Sequence, residues 1–82
     1  MGMIHRTDFV RRCQAAGFVA HHHIDPVFWR LPINYVLWWD DEQVLILPNN
    51  IGALALGNRR PSAVAIFDDL DAAIATYHLL NP

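Results

Sequence analysis

The sequence has no lysine, a single serine and a single cysteine, and each shortage narrows the functions that fit it. Six arginines face eight acidic residues, for a net charge of −2, so the basic excess with which proteins hold nucleic-acid phosphates is missing. Cys13 has no second cysteine to pair with, which fits a reducing compartment, and we expect a cytoplasmic protein. Because Ser62 is the only serine and Cys13 lacks an evident base, we expect a non-enzymatic protein without a cofactor.

Long apolar runs are also absent. The longest uncharged stretch, residues 43–58, is interrupted by proline, asparagine and glycine, so it cannot supply the roughly 20 apolar residues of a membrane span. The first six residues do not lead into a secretory signal, and we expect neither export nor a membrane partner. Hydrophobic residues make up 54% of the chain and charged residues 17%, which predicts one folded domain over residues 1–82.

Each end of the chain carries apolar residues at helical spacing. In the first segment, Thr7 is the predicted N-cap and Gly17 the predicted C-terminal stop. The second segment covers residues 68–80, with acidic residues in the first turn, where the helix dipole favours them. Its predicted apolar face consists of Leu70, Ala73, Ile74 and Tyr77.

Between these helices the chain reads as a series of strands. Residues 34–39 and 43–47 are rich in aromatic and branched side chains, and the acidic turn Asp40–Glu42 between them has the length of a hairpin turn. The segment up to Pro32 is predicted as a loop or an edge element. Further strand-like segments are residues 18–23, 51–56 and 62–67. The predicted fold class is α+β: an N-terminal helix, an antiparallel meander of three to five strands and a C-terminal helix, in two layers.

The predicted hairpin is apolar on both faces. Leu37 and Trp39 alternate with Trp38, and the partner strand alternates in the same way without a polar side. Either one helix covers each face, or both helices cover one face and another protein or a second copy covers the other. Five large side chains of roughly 100 Å² each represent roughly 12 kcal/mol of burial, so an open face of this kind indicates an interaction site.

Three groups of residues are candidates for that interaction. The first is aromatic, because tryptophan is common at binding hot spots. The second is the acidic turn, which could steer a basic partner, and the third is an arginine pair, which could grip a phosphate or a carboxylate. The predicted partner-binding residues are Trp29, Tyr35, Trp38, Trp39, Asp40, Asp41, Glu42, Arg59 and Arg60.

A histidine run follows the first strand-like segment. His21, His23 and Asp25 share one side of an extended chain and are of the types that bind zinc. Their spacing resembles the first part of the metal motif of metallo-β-lactamase-fold hydrolases. Pro26 stands where that family has a further histidine, and the chain is too short for that four-layered fold, so we expect a solvated edge strand without a metal.

The order of a helix, Gly17-Phe18 and a histidine-bearing strand is similar to HicA-type toxins, small ribonucleases with a double-stranded-RNA-binding-like fold. The resemblance covers about twenty residues and implies an RNA partner, with one of His21, His22 or His23 as the catalytic base. The Gly-Ser of that family's Gly-Ser-His element is missing here, and so is its basic surface.

The sequence therefore favours a small non-enzymatic protein-binding module, an inhibitor or an adaptor. It would act by steric occupation through an aromatic sheet face and an acidic hairpin. An inhibitor of the kind that phages or other mobile elements encode fits the size of the chain. Two alternatives stay open: a HicA-like RNA-binding protein or ribonuclease that uses His21–His23, and a structural homodimer.

Overall fold

The computed structural model of this protein describes residues 3–20, 27–49 and 59–82, and in these residues it contains two helices and a five-stranded antiparallel sheet. The strands lie in the sheet in chain order, so the predicted α+β meander between terminal helices is confirmed. The elements are α1 (Arg6–Ala15), β1 (Val19–Ala20), β2 (Val27–Trp29), β3 (Tyr35–Asp40), β4 (Gln43–Pro48), a 3-10 turn (Arg60–Ser62), β5 (Ala65–Phe67) and α2 (Leu70–Leu80).

The first helix ends where the sequence predicts but begins earlier. Gly17 has φ +84°, a conformation that glycine adopts without strain, and the N–H of Phe18 returns to the carbonyl of Cys13 at 2.9 Å. The predicted N-cap at Thr7 is wrong, because α1 starts at Arg6 and the cap position is His5, which makes no side-chain cap. The preceding residue, Ile4, is 6% exposed, so tertiary packing fixes the chain before Thr7 is reached.

Both helices pack on the same face of the sheet, which we call the first face. The ring of Phe9 from α1 meets that of Phe28 from β2 edge to face, with centroids 5.3 Å apart. From α2, Ala73 and Tyr77 are fully buried in the same cluster. The other first-face strand residues of this cluster are Tyr35, Leu37, Trp39, Val44, Ile46, Ala65 and Phe67. Of the two arrangements that the sequence allows, this is the one that leaves the opposite face without a terminal helix.

Two strand predictions need correction. The segment up to Pro32, predicted as a loop or an edge element, contains β2, which lies between β1 and β3. The reason is packing, since Val27 pairs with Trp38 and Phe28 with Leu37, and both β2 residues are 2% exposed. The strand predicted over residues 62–67 is shorter, because the 3-10 turn with Pro61 near its start occupies the first of these positions. The segment 51–56 lies outside the described residues.

Candidate protein-binding surface

The face of the sheet opposite the helices, here called the second face, is closed at its centre. Trp38 is 6% exposed and Leu45 is fully buried within the single chain. The other buried residues of this cluster are Val27, Val36 and Leu47. Of the two possibilities that the sequence left open for this face, the face open to a partner is wrong for the central strands, because their side chains are buried within this one chain. Apolar exposure on this side is found at both edges of the sheet: Val19 in β1 is 48% exposed, and at the β5 edge Val64 is 52% and Ile66 43% exposed.

The aromatic residues predicted to bind a partner divide between the two faces. Trp38 and Trp39 point to opposite sides, as adjacent strand residues must. Trp39 is half-buried on the first face, and its indole N–H donates to the carbonyl of Ile4 at 2.6 Å. Trp29 is half-buried beside the second face, and Tyr35 is half-buried under the helices. Among the three indoles, Trp29 and Trp39 therefore offer a partner more surface than Trp38 does.

The side chains of the predicted arginine pair contact residues of their own chain. The guanidinium of Arg59 lies 3.6 Å from the ring centroid of Trp38, a close cation–π contact that covers this indole. Arg60 places its Nε 3.0 Å from a carboxylate oxygen of Asp40 and donates from Nη1 to the side chain of Gln43 at 2.7 Å. The carboxylate-gripping role predicted for the pair is thus performed by Arg60 inside the molecule.

The acidic turn between β3 and β4 has an unusual backbone. Asp41 has φ +51° and Glu42 has φ +65°, and these are the two central residues of a two-residue hairpin turn. Type I′ turns of this kind demand positive φ at both positions and strongly favour Asn-Gly or Asp-Gly. The carbonyl of Glu42 also accepts the N–H of Ile4 at 2.9 Å, so the turn holds the segment before α1.

A second group of acidic residues lies at the same end of the sheet. Gln43, which follows the acidic turn, donates from its side-chain amide to Asp68 at 2.7 Å. Asp69 caps α2 by accepting the N–H of Asp71 at 3.1 Å. We call this region the acidic end; its carboxylates are Asp8, Asp40, Asp41, Glu42, Asp68, Asp69 and Asp71. The sequence suggested only the turn residues, although an antiparallel meander returns the β3–β4 turn and the end of β5 to one edge.

An open groove of about 670 Å³ lies between α1 and the start of α2 within the acidic end. Arg12 crosses the groove and forms a hydrogen-bonded ion pair with Asp71. The hydrogen bond is the larger cause and the negative charge of Asp71 the second cause that raise the pKa of Arg12 above its ordinary value. Arg11 lies 3.8 Å from Asp8, and both side chains are exposed. With Arg60, the acidic end holds seven carboxylates and three guanidinium groups, a net charge of −4.

The described part of the chain contains neither an activated thiol nor a metal-binding cluster. Cys13 is fully buried in α1, and burial raises the pKa of its thiol to about 12, against a weaker opposite effect of Arg12. It packs as a small apolar side chain in the cluster under the helices. In residues 3–20, 27–49 and 59–82, no group of three or more His, Cys, Asp or Glu could hold a metal ion. The histidine run, His21–His23 with Asp25, lies outside the described residues.

No family model matches the chain, and neither a curated protein nor a solved structure is significantly similar to it. None of the helices that the structure describes is long and apolar enough to cross a membrane.

Proposed function

We propose that this chain is a small non-enzymatic protein-binding module, an inhibitor or an adaptor, that docks its acidic end on a basic surface of a partner protein. The observation that carries the proposal is the pair Asp41-Glu42 in a turn where both residues have positive φ. Non-glycine residues in this conformation cost on the order of 1 kcal/mol or more, and strain of this kind clusters at functional sites. The strain supports a role for the acidic side chains beyond joining two strands.

Charge is the second support. Seven of the eight acidic residues of the chain belong to the acidic end, while Arg11, Arg12 and Arg60 only partly offset them. A concentrated field of one sign accelerates association with a surface of the opposite sign and disfavours partners of the same sign. The field therefore selects a basic protein surface and repels the phosphates of an RNA, which disfavours the ribonuclease alternative at this site.

The position of the turn is the third support. Asp41 is exposed at the tip of the β3–β4 hairpin, next to the half-buried Asp40, which Arg60 holds. A hairpin tip that enters a basic cleft can block it without any chemistry, so steric occupation is sufficient for inhibition.

The experiment is site-specific photo-crosslinking in the source cells, with the crosslinking residue at position 41 or, as a control, at position 34 at the opposite end of β3. We expect position 41 alone to capture a defined protein, with the crosslinked peptide on a lysine- or arginine-rich surface. Capture should weaken as salt is raised, because exposed charges are screened. Equal capture from both positions, or crosslinks to an acidic or apolar surface, would contradict the proposal.

A charge variant tests the same site with a defined probe, a basic peptide such as an oligolysine of about 20 residues. Followed by amide NMR shifts, the peptide should perturb the residues of the acidic end, and the perturbation should be lost in Asp41→Asn/Glu42→Gly. The matched control is Gln14→Lys/Asn34→Lys, which changes the net charge by the same amount at exposed positions elsewhere. If the control loses binding as fully as the turn variant, total charge and not the turn is responsible, and the site is wrong.

A further inference from the structure

Helix α2 is apolar on two sides. Its inner side buries Ala73 and Tyr77 against the sheet. The outer side repeats apolar or small residues at positions i, i+3, i+4 and i+7, the spacing with which a helix docks on a partner. These residues, here called the outer stripe, are Ala72, Ala75, Thr76 and Leu79. Leu79 is 81% exposed, and Leu80 beside it is 38% exposed.

The other helix on this face of the sheet, α1, has no such apolar outer stripe. Helix α1 lies on the same face of the sheet, and its outer side carries Arg6, Asp8, Arg11 and Gln14, which are all exposed. That helix is amphipathic, as expected of a helix in contact with water. Helix α2 has a single acidic residue, Asp71, and a single histidine, His78, in eleven positions.

We propose that the outer stripe of α2 binds the same stripe of a second copy, antiparallel, in a symmetric homodimer. The two-fold axis would pass between Ala75 and Thr76. In a symmetric interface each contact occurs twice, so Leu79 of each copy would cover Ala72 of the other. A large side chain thus meets a small one at both ends of the contact.

Charge complementarity favours the second copy as occupant and the antiparallel direction. The first turn of α2 is acidic, because Asp68 and Asp69 precede it and Asp71 lies within it. Arg12 of the same chain, which pairs with Asp71, offsets only one of these three charges. Its last turn lies beside a cation, because the guanidinium of Arg30 is 3.4 Å from the ring nitrogen of His78. An antiparallel pair brings the acidic first turn of one copy to Arg30 of the other, twice, and it also aligns the helix dipoles favourably. A parallel pair would set acid against acid.

The contact is short, since eleven residues span about 16 Å, so the dimer should be weak. Sedimentation from about 5 to about 500 µM should therefore show a mass that rises from 9.4 kDa toward twice that value. Leu79→Asp should weaken the dimer about ten-fold or more. At the lowest concentration, where the protein is monomeric, it should lower the melting temperature only slightly, because the side chain is already exposed and only the dipole at the last turn of α2 opposes the new charge. Val64→Glu is the control, an exposed apolar residue on the side of the sheet away from the helices, and it should dimerise as the wild type does. A wild type that stays monomeric at the highest concentration overturns the proposal.

Engineered cysteines test the direction. The two copies of residue 76 lie about 1.5 Å apart along the helix axes in the antiparallel register, whereas the two copies of residue 72 lie about 10 Å apart, too far for a disulfide. Thr76→Cys should crosslink on oxidation, and Ala72→Cys should not. Crosslinking of both at similar rates indicates parallel helices, and crosslinking of neither indicates another interface; either result overturns the proposal. The native thiol of Cys13 is buried and does not interfere.

Discussion

At the scale of single residues, Asp41 and Glu42 stand out because their backbone conformation is one that asparagine and glycine adopt more easily. Asp tolerates positive φ better than Glu does, since its short side chain can bond locally, so the larger part of the strain belongs to Glu42. The strain concerns the turn alone, because the flanking pairs, Asp40 with Gln43 and Trp39 with Val44, are regular.

The Asp41→Asn/Glu42→Gly variant should therefore be more stable than the wild type, by about 1 kcal/mol. Urea unfolding followed by circular dichroism measures the change, and the slope of the transition should stay constant because the folded core is unaffected.

Removing two negative charges from the acidic end would also stabilise the protein, so a second variant separates the causes. Asp41→Asn/Glu42→Gln removes the same charges but keeps a side chain at both positive-φ positions. It should gain clearly less than the glycine variant. Equal gains in stability would mean that repulsion between carboxylates, and not backbone strain, destabilises the wild-type turn. The main support of the proposed function would then be lost.

At the scale of elements, α2 does more than pack on the sheet, because residues at its C-terminal end also fix the loop between β2 and β3. The hydroxyl of Tyr77 donates to the carbonyl of Tyr35 at 2.8 Å and accepts the N–H of Arg30 at 2.9 Å. Asn81 accepts the N–H of Asn34 at 2.9 Å. Burial of Tyr77 also raises the pKa of its phenol, only partly offset by Arg30. Two backbone groups and a phenol thus satisfy one another at a partly buried position.

Tyr77→Phe should destabilise the protein by about 1–3 kcal/mol, because it leaves the carbonyl of Tyr35 and the amide of Arg30 without this partner. Hydrogen exchange at the amide of Arg30 should accelerate by more than at amides of β3. The matched control is Tyr35→Phe, a half-buried tyrosine whose substitution removes one hydroxyl from the same face and should cost less than about 0.5 kcal/mol. If both variants lose the same free energy of unfolding, the hydrogen bonds of the Tyr77 hydroxyl are not what fixes the loop.

The elements themselves were accessible to sequence reasoning to different degrees. Alternating apolar residues with a short acidic turn identify the β3–β4 hairpin, and Gly17 identifies the end of α1, because both signals are local. Strand β2 has no such signal: three residues before Arg30 become a strand only because β3 pairs with them. The hydroxyl of Tyr77 is hydrogen-bonded to Tyr35, 42 positions earlier in the chain, and to Arg30, 47 positions earlier. No local sequence pattern can predict hydrogen bonds over such separations.

At the scale of the whole molecule, the composition of the hairpin shows that both faces are buried but not what buries them. The prediction of an outside partner for the second face assumed that only the terminal helices could cover it. In the structure, Trp38 is covered within the chain, with Arg59 stacked on its ring. A charged residue next to a turn gives no sign in sequence that its guanidinium will lie on an aromatic ring. The acidic end could not be predicted from the sequence for a similar reason, because Asp68 lies next to Gln43 only once the order of the strands in the sheet is known.

A measurement of Trp38 alone decides whether one chain is sufficient to close the second face. In a Trp29→Phe/Trp39→Phe background, Trp38 is the only indole, and its emission should stay blue-shifted from about 100 µM down to about 0.5 µM, since burial inside one chain does not depend on mass action. Arg59→Ala in the same background is the positive control: it removes the stacked guanidinium and should shift the emission to the red. A red shift of the parent variant on dilution would mean that a second copy covers this face. The dimer would then use the second face of the sheet, and the outer stripe of α2 would be left without its proposed occupant.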